Sequence, residues 1–382
     1  MTQPKPVPTS TPLAGTRRYP SISVIVPTYN EAENLPLLLD RLDRLRRAHG
    51  LTLELLIMDD NSRDGTAGVI AAQPRDWAQL IVRARDPGLS QAVCDGLRRA
   101  RYDVLVVMDA DLSHPPEAIP HLVAAIADGY DFALGSRYVV GGSTADDWGF
   151  LRWLNSRVAT LLARPFTSVS DPMSGFFALR REDYLKAMDA LSPVGYKIGL
   201  ELIVKCGCQK IKEVPIHFAN RQHGESKLTL REQLRYIKHI RRLATYKYGT
   251  WSHLLQFLVV GGLGTVVNLA VLTALLAFGV SINVSLAVAI GVSMISNFLL
   301  NRRFTFGYAL DDPMPRQFLG FVGASALGAI VNYAVANSLV NAFPRVLPQL
   351  AALVGILAGS GLNFLFNRFA VFKRRHYRAD GS

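Results

Sequence analysis

Through the first third of the chain, short apolar runs alternate with amphipathic stretches. Residues 21–27 read as a strand closed by Pro27, and 53–58 as a second strand running into Asp59-Asp60-Asn61-Ser62. Residues 80–83 give a short third strand, and Val104-Leu105-Val106-Val107-Met108 a buried fourth. Between them, 35–49 and 90–101 have the spacing of helices, and Asp64-Gly65-Thr66 turns into another. Strands alternating with helices predict an α/β domain with a mostly parallel sheet. The pattern then changes. Residues 148–166 set Leu151, Leu154, Val158 and Leu161 among Arg152, Arg157 and Arg164. Residues 230–248 place Leu234, Ile237, Ile240 and Leu243 near one face, with six Lys or Arg around them. The second, just before the apolar segments, predicts a helix lying in a membrane interface; the first predicts either that or an ordinary amphipathic core helix. Four apolar segments follow, at 254–278, 282–301, 317–341 and 348–367, each long enough to cross a bilayer.

The membrane part contains a repeat. Gln256-Phe257-Leu258 with Asn268 matches Gln317-Phe318-Leu319 with Asn332. Asn297-Phe298-Leu299-Leu300-Asn301-Arg302 matches Asn363-Phe364-Leu365-Phe366-Asn367-Arg368. One hairpin has been duplicated, and its asparagines are expected to bond helix to helix.

Composition sharpens this division. The 382 residues allow two or three domains, and the formal charge is +12. Residues 249–301 hold no Lys, Arg, Asp or Glu, which excludes a wholly soluble protein. Basic residues beside apolar stretches point to anionic lipid, and no nucleic-acid-binding motif is present. Arg302, Arg303 and Arg316 lie between the second and third spans, and Lys373, Arg374 and Arg375 follow the fourth. The positive-inside rule then predicts a cytoplasmic α/β domain and cytoplasmic termini in the cell membrane. Cys94, Cys206 and Cys208 make no metal or redox framework and fit a reduced compartment. The proline-rich residues 1–20 read as a disordered tail, with no signal-peptide pattern.

Three polar clusters, 27–31, 59–61 and 109–113, fall at carboxyl ends of predicted strands, where such sheets bind ligands. Taken singly, each is an ordinary solvated turn; together they imply one cleft. Alternate residues of an extended segment share a side, so Asp109 and Asp111 can converge on one hard cation. Two carboxylates leave open positions for phosphate oxygens, which suits a nucleotide-sugar diphosphate.

The segments Ile25-Val26-Pro27-Thr28-Tyr29-Asn30-Glu31, Asp59-Asp60-Asn61-Ser62-Arg63-Asp64-Gly65 and Asp109-Ala110-Asp111-Leu112-Ser113-His114-Pro115 resemble the family 2 glycosyltransferases, within them the dolichol-phosphate (polyprenol-phosphate) mannose synthases. Residues 251–372 resemble the GtrA-like four-helix membrane domain. The resemblance implies a GT-A-type nucleotide-sugar-binding domain at 21–229, an interface helix at 230–250, the all-α membrane domain at 251–372 and a basic tail at 373–382. It implies that Pro27, Tyr29, Glu31, Ile57 and Asp59 hold the base and ribose. Asp109 and Asp111 would bind Mg²⁺ or Mn²⁺, with the Ala110 backbone touching the nucleotide. Ser113 stands at the third ligand position, where the family pattern has Gln; its shorter hydroxyl calls for a bridging water. Arg137 would contact phosphates, Arg152 and Ser156 the phosphate of the acceptor lipid, and Lys197, Arg221 and Lys227 the donor diphosphate.

The expected reaction is an inverting transfer of a hexose, mannose from GDP-mannose before glucose from UDP-glucose, to polyprenyl or dolichyl phosphate. Asp171 is expected to position groups, since a lipid phosphate is already ionised near neutral pH and needs no strong base. Two other classes compete. Processive polysaccharide synthases carry Gln-x-x-Arg-Trp, whereas Gly149 precedes Phe150-Leu151-Arg152-Trp153 here. A lipid-binding or flipping protein with a silent transferase domain is disfavoured by the intact Asp109, Asp111, Arg137 and Lys227.

Overall fold

The structure is a computed structural model that describes residues 19–145, 150–192, 195, 197–219, 230–343, 345 and 348–372. The chain divides into two compact units, one ending at Leu243 and one beginning at Ala244.

In the first unit, strand β1 (Ile22–Thr28) leads to helix α1 (Leu35–His49), β2 (Leu53–Asp59), α2 (Thr66–Ala72), β3 (Ala78–Val82), α3 (Leu89–Arg99) and β4 (Val104–Val107). Next come α4 (Ile119–Ala127), β5 (Phe132–Ser136), β6 (Ser143–Thr144), α5 (Phe150–Ala163) and β7 (Phe177–Arg180). Last are α6 (Arg181–Ala187), α7 (Ile198–Lys205), β8 (Ile211–Pro215), β9 (His217–Phe218) and α8 (Leu230–Tyr248), whose end passes into the second unit. Seven strands form one sheet in the order β3-β2-β1-β4-β7-β5-β8, and β6 pairs with β9. Only β7 runs against its neighbours in the large sheet. Strands β1, β2 and β4 are covered on both faces, which is why their sequences are largely apolar without alternation, with buried Ser23 of β1 bonded to Glu54 of β2. One core cluster lies under α1 and α4, the other under α3, α6 and α7.

Register sets the working edge. Thr28 is level with Asp59, and Ile25 with Val107, which puts Asp109 beside Pro27. Because β7 is antiparallel, its first residue, Phe177, lies opposite Val107 and Leu134. The residues before β7 therefore emerge on the same edge as those after β4 and β5.

Helices α5 and α8 are joined by the Tyr236 hydroxyl, which donates to the Ala159 carbonyl at 2.7 Å. Leu154, Val158 and Leu161 form an exposed row along α5. On α8 the expected single apolar face is divided. Leu243 and His239 are buried, while Leu234 and Ile237 point outward. The helix thus packs on the protein with one side and leaves apolar residues exposed on another.

The second unit holds α9 (Thr250–Ala277), α10 (Ile282–Leu300), α11 (Met314–Ala342) and α12 (Pro348–Phe366), four helices long and apolar enough to cross a membrane. The duplicated motif forms the same feature twice. A π-helical turn follows α10 at Asn301–Thr305 and α12 at Asn367–Val371. Among the described residues, the asparagines that follow α10 and α12 bond within their own helices and not between helices as expected. Asn301 Nδ2 donates to its own helix at Asn297 O (3.0 Å), and Asn367 Nδ2 to Asn363 O (2.9 Å). Helix-to-helix contact comes instead from glycine. Gly264 lies against the Asn297 side chain, and the backbones of Gly328 and Gly359 approach closely.

Candidate active site

The loops after β1 and β2 are sewn together. Asn30 N–H donates to Ser62 Oγ (2.8 Å), Arg63 N–H to Asn30 Oδ1 (3.3 Å) and Ala32 N–H to Asp64 Oδ2 (2.9 Å). Asn30 and Asn61 have φ of 57° and 58°, a left-handed conformation that asparagine tolerates better than most residues. Buried Asp59 accepts from the Ser62 N–H (3.0 Å) and hydroxyl. Pro27 and Glu31 are half-buried, and Tyr29 is 52% exposed. Ile57 is placed differently from its expected role. Its side chain is wholly inside the core.

Sequence reasoning missed Arg83. It directly follows β3, whose Val82 is level with Asp59, and its guanidinium pairs with Asp60 and donates to Asp95 at 2.8 Å. Asp60 also accepts from Gly88 N–H (2.7 Å). Asp60 is therefore a brace between loops. An arginine closing an apolar strand beside an acidic strand end was the available signal.

After β4 the chain turns sharply, with Leu112 at φ 60°. Ser113 donates twice to Asp111 Oδ1, from its N–H (3.1 Å) and its hydroxyl (2.6 Å). Ser113 is fully buried and Asp111 nearly so, while the Asp109 side chain is 30% exposed. Buried His114 stacks on Phe176 with centroids 5.3 Å apart and meets Phe218 edge-on at 5.4 Å. Its Nδ1 accepts from the Asp109 N–H (3.2 Å), which fixes the loop. Burial holds the His114 imidazole below its ordinary range despite the pull of Asp109, so it is neutral. A Cβ on Gly175 would touch both Asp109 and His114 at 3.5 Å, so this glycine keeps the approach to Asp109 open. Among the described residues no group of three His, Cys, Asp or Glu is placed to hold a metal ion. Two hard oxygen donors with other positions left to a ligand nevertheless fit a divalent cation shared with a diphosphate.

Arg137 follows β5 on this edge. It donates to Asp171 through Nε (2.7 Å), Nη2 (2.7 Å) and its backbone N–H (3.1 Å). Asp171 is fully buried, and its backbone N–H and that of Ser170 donate to Glu213. The guanidinium also lies 5.1 Å from the Phe218 ring centre and 5.3 Å from that of Tyr138. Ser156 shares a hydrogen bond with the Tyr138 hydroxyl (2.9 Å), and Arg157 lies over the Tyr138 ring. Half-buried Lys197, just before α7, donates to Met173 O (3.3 Å). Burial, and then repulsion from Arg137, hold its ammonium below the usual lysine range. The structure thus gathers Asp59, Asp109, Asp111, Arg137, Asp171 and Lys197 on one sheet edge. The Arg152 side chain, Arg221 and Lys227 lie outside the described residues.

Two family models match the chain: Glycosyl transferase family 2 over residues 23–186, and GtrA/DPMS, transmembrane domain, over residues 256–372. A dolichol-phosphate mannosyltransferase of Pyrococcus furiosus is 38% identical over 352 residues, which cover 91% of this chain and 98% of that protein. One from Mycosarcoma maydis is 42% identical, covering 60% of this chain and 81% of its own. A polyprenol monophosphomannose synthase of Mycolicibacterium smegmatis is 37% identical over 54% of this chain and 80% of its own.

Proposed function

This chain belongs to the dolichol-phosphate mannosyltransferase family of glycosyltransferases, with a GT-A-like domain and a GtrA/DPMS membrane domain, and from that premise we propose that it moves mannose from GDP-mannose to a polyprenyl or dolichyl phosphate. The observation that carries this reading is the single edge on which Asp109, Asp111, Arg137 and Lys197 meet. That edge combines carboxylates for a cation with cations for phosphates.

The lipid phosphate oxygen attacks the anomeric carbon, and the nucleoside diphosphate departs from the opposite face. Configuration inverts, and an α-linked donor gives a β-linked lipid phosphosugar. Asp109 and Asp111 would hold Mg²⁺ or Mn²⁺, and the bound ion offsets charge on the diphosphate. Ser113 spends its hydroxyl proton on Asp111 and so orients that carboxylate. Tyr29, Glu31 and Asp59 line the base and ribose end. Lys197 faces the donor phosphates, together with Arg221 and Lys227, which are assigned on their motif. Arg137, held in plane by Asp171, brings the attacking phosphate against an anion that otherwise repels it. Arg152 and Ser156 share that phosphate. Catalysis is chiefly positional and electrostatic.

The protein is a membrane protein. The exposed apolar residues of α5 and α8 support a cleft resting on the bilayer surface, where the lipid phosphate lies. The charge asymmetry of the loops supports a cytoplasmic face. The test is a panel of radiolabelled nucleotide sugars with Mg²⁺ or Mn²⁺ and a short polyprenyl phosphate. Label from GDP-mannose is expected in a single-sugar lipid. Label from UDP-glucose alone changes the donor, a polymer makes the enzyme processive, and no transfer from any donor refutes the reading.

A further inference from the structure

Between α7 and α8 lies a charged cluster that the reaction above does not use. Glu201 on α7 is 1% exposed, and His239 on α8 is 2% exposed. Glu201 Oε1 accepts from Lys205 Nζ (2.5 Å) and from the backbone N–H of Ser192 (2.7 Å). Its other oxygen lies 3.7 Å from His239 Nδ1, beyond hydrogen-bond length. Lys205 also donates to Ala190 O (2.7 Å). An ion pair this deep is a poor source of stability, because removing two charges from water costs about what their attraction returns. Its geometry suggests another use.

The groups it holds lead to the cleft. Glu201 lies one helical turn after Lys197, which precedes α7, and it grips Ser192 five residues before Lys197. Between these, Gly195 has φ +73°, and its carbonyl accepts from Ser90 Oγ at 2.6 Å. A Cβ on Gly195 would stand 3.7 Å from Glu232 and 3.8 Å from Arg235, both on α8. Lys197 is thus framed by α7 on one side and by contacts to α3 and α8 on the other. Burial keeps His239 below the ordinary imidazole range, so it meets Glu201 as a neutral ring, and closing their gap takes a shift of about 0.7 Å.

We infer that Glu201 is a positioning residue: it fixes Lys197 toward the donor diphosphate and, through His239, ties that setting to α8, the helix with outward apolar residues. This rests on the proposed function, which makes Lys197 a phosphate contact.

The experiment is a double-mutant cycle on the full chain in detergent micelles, read as affinity for GDP and UDP with Mg²⁺. Glu201→Gln keeps an acceptor for Ser192 and removes the charge. It is expected to weaken nucleoside diphosphate binding about tenfold in the wild-type background and less than twofold beside Lys197→Ala. His239→Leu, altered on the other helix, is expected to show the same dependence on Lys197, and it decides the matter if the Glu201 variant does not fold. Equal losses in both backgrounds overturn the inference, because a merely structural defect is blind to Lys197. A wild-type protein that binds neither nucleotide overturns the proposed function itself, a distinct result.

Discussion

Replacing Asp171 by Asn separates a positioning carboxylate from a catalytic base. Both Asp171 oxygens accept from the Arg137 guanidinium, and one also takes the Arg137 backbone N–H. Three of the carboxylate's roughly four lone-pair sites are thereby committed to Arg137, and a base is unnecessary for a phosphate whose second ionisation falls near pH 6. The substitution leaves a buried guanidinium without its counter-charge, which costs about 3–5 kcal/mol. The Arg137 side chain is 10% exposed, so water relieves part of this, and the lower end, about 3 kcal/mol, is expected. For a unit of this size that is a fall in Tm of about 6–12 °C. Turnover is expected to drop about 10- to 100-fold because Arg137 is less well placed, with the shape of the pH profile unchanged. The assay pairs thermal unfolding with kcat from pH 6 to 9. A variant that keeps its Tm, binds both substrates and has no turnover at any pH would refute the reasoning, since only loss of a base explains that set.

Ser113→Ala removes a charge-assisted hydrogen bond of about 1.5–3 kcal/mol and is expected to weaken Mn²⁺ affinity roughly tenfold without abolishing it; titration calorimetry reads this, and complete loss would make the hydroxyl a direct ligand. Lys197 titrates below the usual lysine range in the free protein, and a bound diphosphate favours its charged form, so GDP affinity is flat below that depressed pKa and falls as pH rises through it. Affinity measured up to pH 10 should show this limb in the wild type and lose it in Lys197→Arg. A Cβ at Gly264 lands on the half-buried Asn297 amide, whereas one at Gly261 meets nothing within 4 Å. Thermal unfolding in detergent should therefore show Gly264→Ala destabilised by about 1–3 kcal/mol and Gly261→Ala unchanged.

The sequence revealed those parts of the site that depend on local order. Largely apolar runs marked β1, β2 and β4 because both sheet faces are covered, and the polar clusters after them share an edge because parallel strands must. What stayed hidden depends on contacts distant along the chain. Asp171 and Arg137 are 34 positions apart and meet only because β7 runs antiparallel between β4 and β5. Arg83 and Asp60 meet through the register of β2 with β3. Ile57 illustrates the converse. Its place near a strand end suggested a pocket residue, but β2 is covered on both faces, so the side chain lies in the core. The two sides of α8 were also invisible, since a helical stripe shows which residues cluster but not which stripe is covered.

In the membrane unit, short repeated motifs revealed the duplication but not its purpose. Each Asn-Arg pair begins a π-turn, and the amide of the asparagine donates back four residues along its own helix. The turn closes on a phenylalanine: Phe306 N–H donates to Asn301 O and Phe372 N–H to Asn367 O, both at 2.8 Å. Those two phenylalanines then stack on one another, centroids 4.6 Å apart and planes 15° from parallel. A π-turn redirects the chain leaving a helix, so the repeated asparagine is what allows two equivalent helix ends to bring their aromatic rings together. The arginines that follow are not equivalent. Arg302 crosses to Gln317 in the second copy at 2.7 Å, while Arg368 meets Tyr308, a residue of the connection between copies. The duplicated halves are therefore joined by the symmetric Phe306–Phe372 pair, by further ring contacts such as Phe298 with Phe318 and Phe257 with Phe364, and by two unlike arginine contacts.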